Sequence, residues 1–240
     1  MTVDSSSIPI ETWRFSLGGN PPEPRDHLSD LAMDERTRID QGIFPELGQR
    51  AARSRLGLRW ILASYLNCNP KEVPLKIGAH GKPQLDCDSP LGFNLSHCGE
   101  FALLAISDNS PLGVDLERIR EESPIEDLAQ RCFSPEEQIQ WLQVSEEKRR
   151  TSFFHLWVQK EAMVKARGDG MTLPLRQFSG ETNPDVLQGA IRSDLPEIGH
   201  ANWQFQASVE IGEMRSAIVY QGRSASFISR NPEEMGLSRW

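Results

Sequence analysis

Three stretches of the chain set charged or hydroxyl-bearing side chains into patterns that would otherwise be apolar. In Phe153-Phe154-His155-Leu156-Trp157-Val158-Gln159-Lys160-Glu161-Ala162-Met163-Val164-Lys165, a helical step of about 100° per residue brings Trp157 and Val164 to one bearing with Phe153 beside them. Lys160, Glu161 and Lys165 fall on that same broad face. Such charges are costly near a core unless they pair or meet a ligand, a metal or a partner. The plain alternative is an internal salt bridge, since Glu161 to Lys165 is the favourable i, i+4 order. In Gly113-Val114-Asp115-Leu116-Glu117 an extended backbone turns Val114 and Leu116 one way and Asp115 and Glu117 the other, with the carboxylates about 7 Å apart along the chain. Paired carboxylates suit Mg²⁺, which takes oxygen ligands and is commonly held by one or two carboxylates plus substrate phosphates. Glu161 would supply a third, and a solvent-facing strand edge is the plain alternative.

Weaker signals surround these. Gly81-Lys82-Pro83 joins a turn, whose backbone N–H groups are available, to a point charge suited to phosphate, although most such turns are only turns. Asn94-Leu95-Ser96-His97-Cys98-Gly99 puts a hydroxyl and an imidazole in a tight bend. Adjacent Ser96 and His97 cannot act as nucleophile and base on each other, because such partners meet from distant positions. Arg36, Arg38, Arg50 and Arg53 read by default as a solvated helical face. Taken together, three carboxylates, three lysines, Ser96, His97 and these arginines spell magnesium and a polyanionic phosphate ligand.

The elements that must carry these residues follow from pattern and punctuation. A strand is expected over Thr12–Leu17, then a Pro- and Gly-rich loop, a short helix over Leu28–Ile39 with Ser29 as N-cap, and a long helix over Leu47–Leu66 ended by Asn69-Pro70. Short extended pieces follow at Leu75–Ile77 and Phe93–His97, and Phe101–Ser107 reads as a buried strand. After the Asn109-Ser110-Pro111 turn come a strand at Leu112–Arg118, a helix over Pro124–Cys132, another begun by Ser134 with Pro135 at N1, and the helix Ser152–Arg167 stopped by Gly168-Asp169-Gly170. Weak alternation in Trp203–Val209 and Ser216–Tyr220 predicts antiparallel strands. The fold class expected is α+β, in two similar subdomains, 1–111 and 112–240, the second holding the metal and catalytic motifs.

Of the 240 residues, 38% are hydrophobic, enough for a sizeable core. Net charge is −8, and neither half is basic: 11 Lys+Arg against 14 Asp+Glu before Leu112, and 15 against 20 from there on. Non-specific nucleic-acid affinity comes from neutralised phosphates, so no nucleic-acid partner is expected. Only six of the 26 cations are lysines, and three of those six are Lys82, Lys160 and Lys165. No apolar run approaches the roughly 18 residues of a membrane span and the first ten residues lack a signal-peptide pattern, so a cytoplasmic protein with no membrane partner is expected. Cys68, Cys87, Cys98 and Cys132 are scattered without a C-x-x-C pair, against a disulfide framework or a structural zinc site.

The ordered set Gly81-Lys82-Pro83, Asn94-Leu95-Ser96-His97-Cys98, Gly113-Val114-Asp115-Leu116-Glu117 and Trp157-Val158-Gln159-Lys160-Glu161-Ala162-Met163-Val164-Lys165-Ala166-Arg167-Gly168-Asp169-Gly170 resembles the surfactin-type 4′-phosphopantetheinyl transferases, over roughly residues 45 to 180. The resemblance implies a pseudo-twofold pair of α+β subdomains, each a helix packed on a small antiparallel sheet, with coenzyme A in the cleft between them. It implies Mg²⁺ held by Asp115, Glu117 and Glu161 with the coenzyme's diphosphate, Lys165 on the diphosphate, and Lys82 and Pro83 lining the adenine end. Ser96, His97 and Arg53 would hold the 3′-phosphate, with Arg36 or Arg38 standing in for family lysines, and Lys160 would steady Glu161 or a phosphate. It further implies transfer of phosphopantetheine to a serine hydroxyl of an apo acyl or peptidyl carrier protein, with Glu161, directly or through a metal-bound water, as the base. A monomer is expected, since the pseudo-dimer already supplies the cleft, and Arg118–Trp141 is a candidate docking region. Two rivals are a metal-dependent nuclease and a non-catalytic carrier-binding protein.

Overall fold

The computed structural model describes residues 7–18, 24–40, 45–78, 81–108, 110–168 and 170–232. The first half runs β1 (Ile8–Ser16), α1 (Met33–Asp40), α2 (Pro45–Leu66), a small hairpin of β2 (Leu75–Ile77) and β3 (Pro83–Leu85), and a longer hairpin of β4 (Leu91–Cys98) and β5 (Phe101–Asp108). The second runs β6 (Leu112–Arg118), α3 (Ile125–Cys132), α4 (Pro135–Gln143), α5 (Glu146–Arg167), the short strands β7 (Phe178–Ser179), β8 (Gln188–Ala190) and β9 (Arg192–Ser193), and one-turn α6 (Pro196–Gly199). The hairpin of β10 (Trp203–Glu210) and β11 (Met214–Gln221) and a last strand β12 (Ala225–Arg230) complete it.

The two halves repeat one plan, as an α+β pair of subdomains should. A first strand pairs antiparallel with the second strand of the later hairpin, giving the sheet orders β12-β1-β5-β4 and β6-β11-β10-β8. A 22-residue helix covers the outer face of each sheet. β5 is apolar from Phe101 to Ile106 because both its faces are covered there: Ala102, Leu104 and Ile106 pack with Trp13, Leu58 and Leu62 under α2, while Leu103 and Ala105 pack with Val114, Leu116 and Ile218 between the sheets. On the far side, Val158 and Ala162 of α5 pack on Phe205, Ala217 and Val219.

Several boundaries differ from expectation for identifiable reasons. Ser29 caps no helix: a 3₁₀ turn covers Pro24–Asp30 and α1 starts at Met33, where the Glu35 side chain accepts from Ala32 N at 2.9 Å. The α2 helix starts two residues early, at Pro45, and ends at Leu66 as expected, but what stops it is Asn67 in the left-handed region at φ 51° and not Asn69-Pro70. α5 begins six residues before Ser152, whereas α4 starts as expected, with Ser134 and Glu137 forming a reciprocal capping box. The division at residue 111 assigns β12 to the second half, yet β12 pairs in parallel with β1 in the first sheet. The expectations touching residues 19–23, Ala79, His80, Asn109 and Asp169, and the first six residues, lie outside the described residues. No helix among the described residues is long and apolar enough to cross a membrane.

Candidate active site

Along α5 from Ser152 to Ala166 every side chain is buried except three, Trp157, Glu161 and Lys165. Their spacing of four residues makes a single half-open stripe on an otherwise enclosed helix. The stripe runs beside β6, and the approach is close because position 113 is glycine: a Cβ there would overlap Ala162 O and Ala166 N. Period two then turns Asp115 and Glu117 to the same side of β6 as Gly113. Asp115 is buried and Glu117 half-buried.

The groups meet at Asp115. Its Oδ1 accepts from Lys165 Nζ at 2.6 Å and from Ser96 Oγ at 3.1 Å, and Lys165 Nζ also reaches Ser96 Oγ at 2.9 Å. Asp115 Oδ2 is buried without a hydrogen-bond partner. Burial and then the Asp115 charge push the carboxyls of both Glu117 and Glu161 above the ordinary glutamate range, Arg120 and Lys165 opposing at Glu117 and Lys165 at Glu161. Arg120 Nη2 touches Glu117 at 3.2 Å, and the Cys98 thiol lies 4.0 Å from it. β4 is pinned to β6 by Asn94, whose Oδ1 accepts from Val114 N at 2.7 Å. Neither Asn94 nor Cys98 was singled out from the sequence, although both lie inside the Asn94–Cys98 motif.

The cleft between the halves opens beside this cluster. A cavity of about 230 Å³ is lined by Gly81, Lys82, Pro83, Asn94 and Leu95 from the first half and by Val164 and Lys165 from the second. Lys82 spans it, with Nζ 2.7 Å from the Lys165 carbonyl, which accepts, and it also borders a neighbouring cavity of about 320 Å³. Burial, and then the Lys165 charge, lower the Lys82 ammonium to about 8. His97 is exposed beside Ser96, and its pKa is lowered by desolvation and then by Lys165. Arg53 is buried, donating from Nη1 to Leu17 O at 2.8 Å and leaving Nε unpaired. Another cavity of about 210 Å³, lined by Phe15, Phe101, Leu103, Leu116 and Met214, opens on the other side of β6 and holds none of the candidate residues.

The structure does not bring every candidate to this cleft. Lys160 is fully buried, its ammonium taken up by Glu137 Oε2 at 2.8 Å, Leu175 O at 2.7 Å and Phe178 O at 2.8 Å. An ammonium has three donors, so none remains for a phosphate or for Glu161, and the expected cofactor contact is corrected on that ground. Arg36 donates from Nε to Leu31 O within its own helix start, and the Arg38 side chain lies outside the described residues. Among the described residues no three His, Cys, Asp or Glu side chains close on one point as a ready-made metal site; Lys165 sits against Asp115 instead.

Comparison with known proteins bears on both halves. The sequence model of the family described as "4'-phosphopantetheinyl transferase superfamily" matches residues 111–219, and that of "4'-phosphopantetheinyl transferase, N-terminal" matches residues 21–109. Over 165 residues the chain is 36% identical to 4'-phosphopantetheinyl transferase HetI of Nostoc sp., covering 68% of this chain and 70% of that protein. It is 39% identical over 132 residues to 4'-phosphopantetheinyl transferase gsp of Aneurinibacillus migulanus, covering 53% of each. With 4'-phosphopantetheinyl transferase Sfp of Bacillus subtilis the identity is 28% over 180 residues, covering 70% of this chain and 77% of that protein.

Proposed function

The chain belongs to the 4′-phosphopantetheinyl transferase superfamily, and we propose that it uses the cleft between its halves to move phosphopantetheine from coenzyme A to a serine hydroxyl of an apo acyl or peptidyl carrier protein. The observation that carries this reading is the convergence of Asp115 from β6 with the Glu161 and Lys165 stripe of α5, at a cleft whose facing wall offers Lys82.

In the reaction the serine oxygen bonds to the β-phosphorus of coenzyme A. The bond from that phosphorus to the bridging oxygen breaks, and the electron pair leaves with adenosine 3′,5′-bisphosphate. Glu161 is the candidate base for the serine proton, since it is one of the three half-open side chains of α5 and stands at the cleft beside Asp115 and Lys165. Lys165 brings positive charge to the diphosphate, the chief need in phosphoryl transfer, and Lys82, expected at the adenine end, reaches the Lys165 carbonyl and so adds its charge to the coenzyme's phosphates. Ser96, His97 and Arg53 are assigned to the 3′-phosphate, supported by the unpaired Arg53 Nε, and Pro83 to the adenine end.

A divalent cation fits the residues present. Asp115 keeps an unused buried oxygen, and the Glu117 and Glu161 carboxyls lie close enough to feel its charge, so three carboxylates border one part of the cleft wall. Asp115, Glu117 and Glu161 would hold Mg²⁺, which when bound neutralises charge on the diphosphate oxygens. The same reading has a monomer at work in the cytoplasm, each half supplying one wall of the cleft. Incubation with coenzyme A, Mg²⁺ and apo carriers from fatty-acid, polyketide and peptide-synthetase systems is expected to add one phosphopantetheine mass to at least one carrier. No gain on any of them overturns the reading.

A further inference from the structure

Lys160 is the residue before Glu161, yet it turns away from the cleft and ends in a buried ion pair. Its partner Glu137, 0% exposed, is equally engaged: besides Lys160 its carboxylate accepts from Ser134 N at 2.6 Å and Gly180 N at 2.8 Å. One carboxylate thus ties α5 to the start of α4 and to the chain that follows α5. Lys160 Nζ also lies 4.4 Å from the centroid of the Phe178 ring.

The first half contains the same device at the same address. Arg59 is the fifteenth residue of α2 as Lys160 is the fifteenth of α5. Arg59 is 2% exposed and donates from Nε to Glu35 Oε2 at 2.6 Å, and from Nη1 to Pro70 O at 2.9 Å and Val73 O at 3.0 Å. Glu35 lies on α1, the helix before α2, as Glu137 lies on α4, the helix before α5. In both halves the two carbonyl acceptors are the first residue of a three-residue 3₁₀ turn and the residue just after it, Pro70 and Val73 in one, Leu175 and Phe178 in the other. Each long helix then ends on a left-handed residue at its twenty-third position, Asn67 and Gly168. At the positions matching Glu161 and Lys165, however, α2 carries Trp60 and Ser64. A buried cation that recurs with matching partners on a helix lacking counterparts of Glu161 and Lys165 serves to seat that helix.

We infer that Glu137 and Lys160 are positioning residues for the transfer reaction, the ion pair fixing the rotation of α5 about its own axis so that Glu161 and Lys165 open on the cleft. This rests on the transferase reading above. A turn of about 20° about a helix whose side chains reach roughly 6 Å from the axis moves their ends by about 2 Å. Misplacement by about 1 Å can cost on the order of a hundredfold in rate.

The test uses the full chain with Glu137→Gln, Lys160→Met and the double variant, assayed below the melting temperature of each. A single substitution leaves one buried charge uncompensated, so the double variant is the one counted on to fold. Expected is a fall in kcat of at least about tenfold with the KM for coenzyme A within about threefold of the parent, and faster amide exchange through Gln159–Lys165 in the substrate-free protein. Glu35→Gln, a matched disturbance of the other half, lowers the melting temperature while leaving kcat within about twofold. An unchanged kcat in the folded double variant overturns the inference. So does a rise in KM confined to Lys160→Met, which would mean direct contact with the coenzyme. If the parent protein modifies no carrier, the transferase reading fails by itself, and unaltered amide exchange in α5 of the double variant still overturns the positioning role.

Discussion

Lys82 gives the sharpest handle on the cleft. Burial, with Lys165 close by, brings its ammonium from 10.5 down to about 8 in the substrate-free protein. The sign follows: the charge is present below pH 8 and is lost above it, and with it goes the attraction for the coenzyme's phosphates. With a value of 8 the charged fraction is about nine tenths at pH 7, one half at pH 8 and about one tenth at pH 9. The kcat/KM for coenzyme A should therefore fall about tenfold from its plateau by pH 9 and about thirtyfold by pH 9.5. An unperturbed lysine would leave the profile flat over that range. Bound phosphates favour the charged form, so the descending limb belongs to kcat/KM and is absent from kcat, which reports the complex. Steady-state transfer to one carrier between pH 6.5 and 9.5, for the parent and for Lys82→Arg, reads this directly. The guanidinium stays charged throughout, so the normalised Lys82→Arg profile is flat. A flat parent profile to pH 9.5, or an equal limb in the arginine variant, refutes the reasoning.

Other outcomes follow from the same contacts. Asp115→Ala and Glu161→Ala each lower transfer by roughly a hundredfold or more with a retained circular-dichroism spectrum; near-normal turnover in either removes the metal assignment. Gly113→Ala forces α5 off β6 against Ala162 O and Ala166 N, costing about 1–3 kcal/mol in urea unfolding together with activity. His155 is 0% exposed, and burial and then Arg215 lower it to about 4, against a smaller opposing contact with the Val186 backbone. The unfolded ring protonates first, near 6.5, so stability is lost as pH falls through that window, by about 2 kcal/mol between pH 7 and pH 5. His155→Gln lacks this dependence, and parallel stability curves for the two proteins would contradict it.

Much of the site is visible in local pattern. Period two put Asp115 and Glu117 on one side of β6, and the four-residue spacing of Trp157, Glu161 and Lys165 is what leaves one open stripe on α5. Lys160 was misread because a broad helical face has two edges and periodicity does not say which edge turns inward. That choice is made by Glu137, 23 residues earlier, and by carbonyls 15 and 18 residues later. Ser29 failed as a cap for a similar reason, since Glu35 is held by Arg59 across 24 residues and starts α1 from within. β12 left almost no local trace, because what defines it is pairing with β1, more than 200 residues away. The weak spots share one cause, partners distant in sequence.

The parallel pairing of β12 with β1 also ties the two halves into one unit. The chain leaves the second half after β11 and returns to the first sheet, where six residues of β12, Ala225 to Arg230, run in register with Ile8 to Trp13. Arg14 adds a two-pronged grip on Glu210, with both oxygens at 3.0 Å. Pulling the halves apart would shear that ladder, so the molecule behaves as a strapped shell rather than a hinged jaw. Equilibrium unfolding should therefore proceed in one transition, with neither half surviving alone.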